Sequence, residues 1–110
     1  MRNAVIVSQN GMGSGDAGLG LLLLRRYLRN DLEKDDRAER YVFYNGGVLA
    51  ALLDDEIRSF LKQLEERGSL ILLCGVCLDH YGLTERRDVG KNACLADVRE
   101  SMAMDRVVYL

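Results

Sequence analysis

The stretch LILLCGVCLDHYGL, residues 70–83, is an apolar run that leads into two cysteines three residues apart. Its first part, Leu70 to Cys74, does not alternate apolar with polar residues, which is typical of a strand buried on both faces. Similar short runs are AVIVSQ at 4–9, YVFYN at 41–45 and VVYL at the end of the sequence. These runs predict a mainly parallel β-sheet.

Helical patterns separate the apolar runs. They extend from Ala17 to about Leu32, from about Asp55 to Arg67 with Gly68 as the terminating residue, and from about Leu95 to Met104. Strands that alternate with helices predict an α/β domain.

Length and composition limit the organisation of the chain. A length of 110 residues with 48% hydrophobic residues fits one domain, 1–110. The formal net charge is −2 and basic residues form no block, which argues against nucleic acid as a partner. Neither a signal-peptide pattern nor an apolar segment of bilayer length is present, so we expect a cytoplasmic protein without membrane contact. In a reducing compartment, an odd count of three cysteines argues against a disulfide framework.

A glycine-containing loop follows each of the first three predicted strands. The loops read NGMGSGDAGLG at 10–20, NGG at 45–47 and CGVCLDHYG at 74–82. Because ligands gather beyond the carboxyl ends of parallel strands, we expect the loops to share one edge of the sheet. Glycine allows close backbone approach, so this edge is the predicted functional site.

The first loop contains a GxGxxG pattern at Gly13, Gly15 and Gly18, between a strand and a helix. A dinucleotide site also requires an acidic residue after the second strand, where this chain has Asn45. Asp16 and Ser14 are placed to cap the following helix, and an anion-cradling loop is the alternative interpretation.

Three interpretations of Cys74 and Cys77 compete. A zinc site would need His80 and Cys94 as further ligands, but the chain has no second CxxC or HxxxH pair. A buried, inert pair is the second interpretation. A reactive pair is favoured, because CxxC at a strand-to-helix junction places sulfur near amide donors that stabilise a thiolate.

Three further features of the sequence bear on the site and on assembly. The single histidine, His80, is either a base or charge partner for Cys77 or an exposed residue without a role. Cys94 opens an apolar helix face with Leu95 and Val98, so we expect it in the core. The leucine-rich run 19–24 gives its helix more apolar surface than one sheet face covers, which indicates contact with another subunit.

Four segments in order, MGSGDAGLG, FYNGGV, LEERG and CGVCLDHYGL, resemble the DsrE-like domain of YedF-type proteins. The resemblance implies a DsrE/TusD-like, three-layer α/β/α fold with a mainly parallel sheet. It also implies relatives that pass sulfur as a cysteine persulfide and assemble as trimers or hexamers. By this resemblance the thiol role falls on Cys74 and Cys77, and the surrounding pocket is formed by Gly13, Gly15, Asp16, Asn45 and Gly46.

We therefore expect a sulfurtransferase-like sulfur carrier in sulfur or selenium metabolism, with Cys74 as the nucleophile and Cys77 as the resolving thiol. The alternatives are a non-catalytic subunit that binds a small ligand or supports assembly, and a thiol-disulfide reductase. Expected partners are a cysteine desulfurase, a TusA-like carrier and further copies of the chain, as a trimer, hexamer or dimer. We expect no metal and no cofactor. Full-length relatives carry a TusA-like domain with a Cys-Pro-x-Pro motif, and this proline-free sequence is expected to be a stand-alone domain or a fragment.

Overall fold

Within residues 2–110, which a computed structural model describes, five strands form one parallel sheet. The strands are β1 (Asn3–Val7), β2 (Arg40–Phe43), β3 (Leu70–Cys74), β4 (Lys91–Ala93) and β5 (Arg106–Tyr109). Their order in the sheet is β4-β3-β2-β1-β5, and all four neighbouring pairs are parallel. The predicted parallel sheet is confirmed. The sequence did not reveal β4, because it has only three residues, two of them exposed and polar.

Five α-helices connect the strands in the described part of the chain. They are α1 (Ala17–Glu33), α2 (Gly47–Leu53), α3 (Asp55–Glu66), α4 (Gly75–His80) and α5 (Leu95–Met102), and a short 3-10 helix covers Thr84–Arg86. The predicted helices correspond to α1, α3 and α5. Gly68 lies just after the end of α3 and has φ of +100°, a left-handed conformation that terminates a helix.

The connections explain the layers. From β1 to β4 the chain steps through the sheet in one direction, and crossovers of one hand then place α1 to α4 on the same face. The last connection returns to β5 beside β1, which places α5 on the opposite face. The buried side chains agree: Phe43 and Leu73 pack with α1, α2 and α3, whereas Val42 and Leu72 pack with Val98 of α5. The three-layer α/β/α architecture is confirmed.

The buried stripe of α1 consists of Leu24, Leu28 and Leu32, four residues apart, which is one face of a helix. Leu19, Leu22 and Leu23 remain 51, 39 and 41% exposed. The helix therefore carries apolar surface that this chain does not cover, as the leucine run predicts.

No helix in residues 2–110 combines the length and the apolar character that crossing a bilayer requires.

Asp54 connects α1 to the start of α3. Its Oδ1 accepts the N–H of Ile57 at 2.9 Å as the N-cap of α3, and its Oδ2 accepts a hydrogen bond from Arg25 Nε at 3.0 Å. Burial by itself would raise the pKa of Asp54, but the hydrogen bonds from Arg25 and Ile57 outweigh it and hold the pKa below 3.8. The ionised carboxylate thus stabilises the contact between the two helices.

We predict that Asp54→Ala lowers the free energy of unfolding by about 2–3 kcal/mol, because it removes both a helix cap and a partly buried ion pair. Since the pKa of Asp54 is depressed in the folded state, this stabilisation is present above its unfolded value and is lost as the pH falls through the folded one. Urea unfolding at neutral pH and below pH 4 measures both effects. The control is Asp55→Ala, because Asp55 is 89% exposed and should cost only about 0.5 kcal/mol. Equal losses for the two variants would contradict this role of Asp54.

Candidate functional site

The loops that follow β1, β2 and β3 lie at one edge of the sheet, because the three strands are parallel and adjacent. The expected positions of Asn10, Asn45 and Cys74 at a common edge are thereby confirmed. Since β2 lies between the other two strands, the Asn45 loop lies between the glycine-rich loop and the CxxC motif.

Two glycines fit the Asn45 loop against the end of β1. The N–H of Tyr44 donates to the carbonyl of Val7 at 3.1 Å. A Cβ atom at Gly47 would collide with that same carbonyl, and one at Gly46 would come within 3.1 Å of the backbone nitrogen of Asn10. Asn45 itself has φ of +51°, in the left-handed region that asparagine tolerates better than most residues. The loop is thus held by backbone packing.

Cys77 receives a backbone hydrogen bond from this loop. It lies in the first turn of α4, half-buried, and its Sγ accepts the N–H of Asn45 at 3.0 Å. Burial raises the pKa of the Cys77 thiol, the Asn45 N–H opposes this, and the neighbouring Cys74 thiol raises the pKa again, so that it lies above 9.0. The resting protein therefore holds Cys77 mainly as a thiol beside a donor that favours negative charge on sulfur.

Cys74 is the last residue of β3 and is only 4% exposed. Its strand position pairs with Ala93 of β4. The sequence-based hypothesis made Cys74 the nucleophile, but solvent reaches Cys77 more easily than Cys74 in this structure. Burial thus favours the reverse order of roles for the two thiols.

The expectation that Cys94 lies in the core is wrong. Cys94 is exposed and is the N-cap of α5, where its Sγ lies 3.3 Å and its backbone nitrogen 3.0 Å from Oδ2 of Asp97. The next residue, Leu95, is 62% exposed. Both residues begin the helix beyond the end of β4, where the sheet no longer covers them, while Val98 one turn later is buried.

The glycine-rich loop packs against the start of α1. The N–H of Met12 donates to the carbonyl of Gly20 at 2.9 Å, and a Cβ atom at Gly11 would meet that carbonyl group. Asp16 accepts the N–H of Leu19 at 2.8 Å, so its predicted capping role is confirmed. Ser14 makes no capping bond within residues 2–110. Gly13 and Gly15 lie on the exposed outer part of the loop with φ of +74° and +131°.

His80 ends α4, one turn after Cys77. It is exposed, and its ring meets that of Tyr81 edge-on with 5.0 Å between the centroids. Among the residues that the structure describes, no hydrogen bond joins His80 to a cysteine. The geometry gives His80 no contact through which it would act as a base in this conformation.

Neither of two surface depressions contains the CxxC motif. In residues 2–110 no three His, Cys, Asp or Glu side chains are arranged to hold a metal ion. A depression of about 430 Å³ follows α1 and a smaller one of about 50 Å³ lies near Asp31, and no cysteine lines either of them. The candidate site is therefore a surface edge with thiols and amides.

Sequence reasoning assigned neither Asn92 nor Asp97 to this edge. A Cβ atom at Gly75 would collide with Oδ1 of Asn92, so the carboxamide lies directly against the first residue of α4. This contact depends on the unpredicted strand β4, whose position in the sheet has no signal in the sequence, whereas Asp97 contacts Cys94 locally in the first turn of α5.

Comparison with solved structures finds the same fold in the crystal structure of the ychN protein from E. coli. The TM-score is 0.72 with 19% sequence identity, over 100% of both chains. No family model matches the chain, and no curated protein matches it. The likeness concerns the fold, and an identity this low carries no statement about activity.

We predict that Gly47→Ala displaces the Asn45 loop, because its Cβ atom has no space beside the Val7 carbonyl. The free energy of unfolding should fall by about 1–3 kcal/mol, as in other overpacked sites. Alkylation of Cys77 at a given pH should become slower, because the loss of the Asn45 N–H raises the pKa of the thiol and only the thiolate reacts. Gly18→Ala is the control, since it lies in α1 with ordinary contacts and should leave stability equal or raise it by up to about 1 kcal/mol. Unchanged stability and reactivity in Gly47→Ala would refute the role of this contact.

We also predict the order of thiol alkylation by iodoacetamide: Cys94 first, Cys77 next and Cys74 last, following their exposure. Because only the thiolate reacts and the pKa of Cys77 is raised, its rate should increase with pH to a midpoint above 9.0. Cys74→Ala should lower this midpoint, because the Cys74 thiol helps to raise it. Peptide mapping by mass spectrometry measures all three rates. A midpoint for Cys77 near neutral pH would contradict this description of its environment.

Proposed function

We propose that this protein is a sulfurtransferase-like sulfur carrier of the DsrE-like type, which holds sulfur as a persulfide at the CxxC motif. The observation that carries the proposal is the half-buried Cys77 thiol, which accepts the backbone N–H of Asn45 at 3.0 Å beside a second thiol. The sequence resemblance supports the same direction, and the fold shared with the ychN protein is compatible with it. The proposal includes selenium, in place of sulfur, as the element that the protein carries.

Loading is a group transfer without net oxidation. The Cys77 thiolate attacks the outer sulfur of a donor persulfide, a new bond forms between Cys77 Sγ and that sulfur, and the donor cysteine leaves as a thiolate. The Asn45 N–H is a fixed donor next to the reacting sulfur, where negative charge is exchanged. The proton of the Cys77 thiol passes to solvent, which reaches this half-buried side chain.

In this scheme Cys74 does not accept the sulfur but adjoins the thiol that does. It is buried at the end of β3 and its thiol neighbours that of Cys77. This arrangement lets Cys74 limit access to the inner sulfur of the persulfide. The sequence alone favoured Cys74 as the nucleophile, and burial is the reason for exchanging the two roles.

The proposed donor and acceptor are proteins that exchange persulfides. A cysteine desulfurase supplies a persulfide, and a TusA-like carrier accepts one through a surface thiol. Val76, 75% exposed between the two cysteines, gives such a protein an apolar contact. The exposed leucines of α1 favour assembly into a homo-oligomer, which covers them. In this proposal the protein is cytoplasmic.

A thiol-disulfide reductase is the second candidate, and the proximity of the Cys74 and Cys77 thiols favours it. In that case the two thiols would give two electrons and two protons to a disulfide substrate and become a disulfide themselves. A non-catalytic assembly subunit would need neither thiol.

We predict that Cys77→Ser abolishes uptake of sulfur, measured as the gain of one sulfur atom by intact mass after incubation with a cysteine desulfurase and cysteine. Cys74→Ser and Cys94→Ser should still be loaded, because the sulfur-accepting thiol remains. Loading of Cys77→Ser with loss in Cys74→Ser would restore the assignment that the sequence favoured. Absence of loading in the unmodified protein would reject the carrier, and reduction of a disulfide substrate would then identify the reductase.

A further inference from the structure

We infer that the outer edge of β5 is a docking surface for a second copy of this chain, whose own β5 pairs with it antiparallel across a two-fold axis. The inference specifies one surface of the homo-oligomer in the proposed function and does not depend on the sulfur chemistry. Its basis is the direction of the backbone groups of β5, the side chains beside them and the exposed leucines of α1.

The backbone of β5 has free hydrogen-bonding groups on its outer side. The N–H groups of Arg106 and Leu110 donate to carbonyl groups on the β1 side, at 3.0 and 2.9 Å. Since alternate residues of a strand direct their backbone groups to opposite sides, Val108 also faces β1, whereas Val107 and Tyr109 face outward. In the described part of the chain, β5 is the last strand of the sheet on this side. Its outer edge therefore offers two N–H and two C=O groups to another strand.

The two edges of the sheet differ in their protection against pairing. At the opposite edge, β4 has only three residues and carries the exposed Lys91, and short, charged edge strands discourage pairing. β5 instead has the sequence RVVY, with two valines and a tyrosine of high β-propensity, and Tyr109 is 62% exposed. An edge strand of this composition is a template for a further strand.

The exposed leucines of α1 continue this edge. Leu19, Leu23 and Tyr27 are four residues apart and therefore lie along one side of the helix. Tyr27 lines the same small depression as Arg106 and Val108, which places this side of α1 toward β5. The larger depression, of about 430 Å³, follows the same side past Leu23 and Tyr27. The β5 edge and this side of α1 thus form one continuous surface, which we call the β5 surface.

The size of the β5 surface decides which parts must take part. Stable interfaces bury roughly 800 Å² of each partner, and a pair of four-residue strands is too small for this by itself. On the α1 face, the helices step from α1 toward β4, so β5 lies at the border of the helical layer and Val108 and Leu110 are only partly buried. A partner on the β5 edge therefore also reaches the leucines of α1.

A second copy fits this edge because the edge is complementary to itself. In an antiparallel pair centred on Val108, this residue lies opposite its own copy, and Val107 of each chain exchanges two backbone hydrogen bonds with Tyr109 of the other. All the outward N–H and C=O groups of both strands are then paired. The side chains that meet are valine with valine and valine with tyrosine, which are favourable cross-strand pairs.

The charge of β5 is compatible with the same pairing. Arg106 is its one charged residue and lies opposite Leu110 of the second copy, so two arginines do not meet across the axis. Arg106 also lines the small depression together with Asp31 and Asp36. Its charge therefore has acidic neighbours within its own chain when the edge is covered.

The first test is a disulfide across the axis. In the proposed pair the two Cα atoms at position 108 lie about 4.5 Å apart, within the span of a disulfide. We expect Val108→Cys to give a covalent dimer under mild oxidation, identified by non-reducing electrophoresis and peptide mapping. Val107→Cys is the matched control, because its copy is a diagonal neighbour about 7–8 Å away, beyond the usual span.

The second test removes a backbone donor. Tyr109→Pro deletes an outward N–H that makes no bond to β1, and proline is tolerated at such edge positions. Because a two-fold pair joins copies two by two, its loss should halve the mass of the assembly measured by light scattering at micromolar concentration. Tyr109→Phe is the control and should keep the mass of the unmodified protein, an even multiple of 12.4 kDa. Circular dichroism verifies the fold of each variant.

The outcomes separate this inference from the sulfur chemistry. A monomer or an odd-numbered assembly of the unmodified protein overturns it, and so does an unchanged mass in folded Tyr109→Pro. If Tyr109→Pro does not fold, the disulfide decides: absence of the Val108→Cys dimer, or equal crosslinking of Val107→Cys, overturns the pairing. Sulfur loading of the same samples is a separate measurement, and its failure would reject the carrier while leaving the β5 surface in place.

Discussion

The contact between Gly47 and the carbonyl of Val7 is the constraint on which the candidate site depends. Helix α2 begins so close to the end of β1 that any side chain at position 47 would overlap the carbonyl oxygen. This proximity brings the Asn45 backbone N–H to the place where α4 presents Cys77. The absence of a side chain at Gly47 thus allows the hydrogen bond between the Asn45 N–H and Cys77.

Burial and hydrogen bonding act in opposite directions on the Cys77 sulfur. Burial disfavours the thiolate and raises its pKa, whereas the N–H of Asn45 favours negative charge. A thiol in this balance is protected at rest and has a donor in place when charge develops on sulfur. The low reactivity that the geometry implies at neutral pH fits a carrier that reacts with a docked donor protein more than with small molecules in solution.

Sheet topology also sets what surrounds the residues that follow β3 and β4. The chain leaves these two strands toward opposite faces, so α4 continues on one face and α5 on the other. The same topology leaves the start of α5 outside the sheet. For this reason Cys94 and Leu95 are exposed, although the periodic pattern of their helix indicates a core position.

The sequence by itself determined the parallel sheet, the helices α1, α3 and α5, the Asp16 cap and the common edge of the three loops. These features depend on local patterns: unbroken apolar runs, helical periodicity, and residues whose backbone or side-chain chemistry ends an element. Only the tertiary structure decided that β4 is a strand, that Cys94 is exposed, and that Asn92 lies against Gly75. It also decided that Cys77 is more accessible than Cys74. Each of these depends on which neighbour covers a residue, and cover is set by strands and helices that are distant in the sequence. The motif CGVC therefore predicts reactive cysteines from the sequence alone, whereas the relative exposure of its two thiols is set by packing.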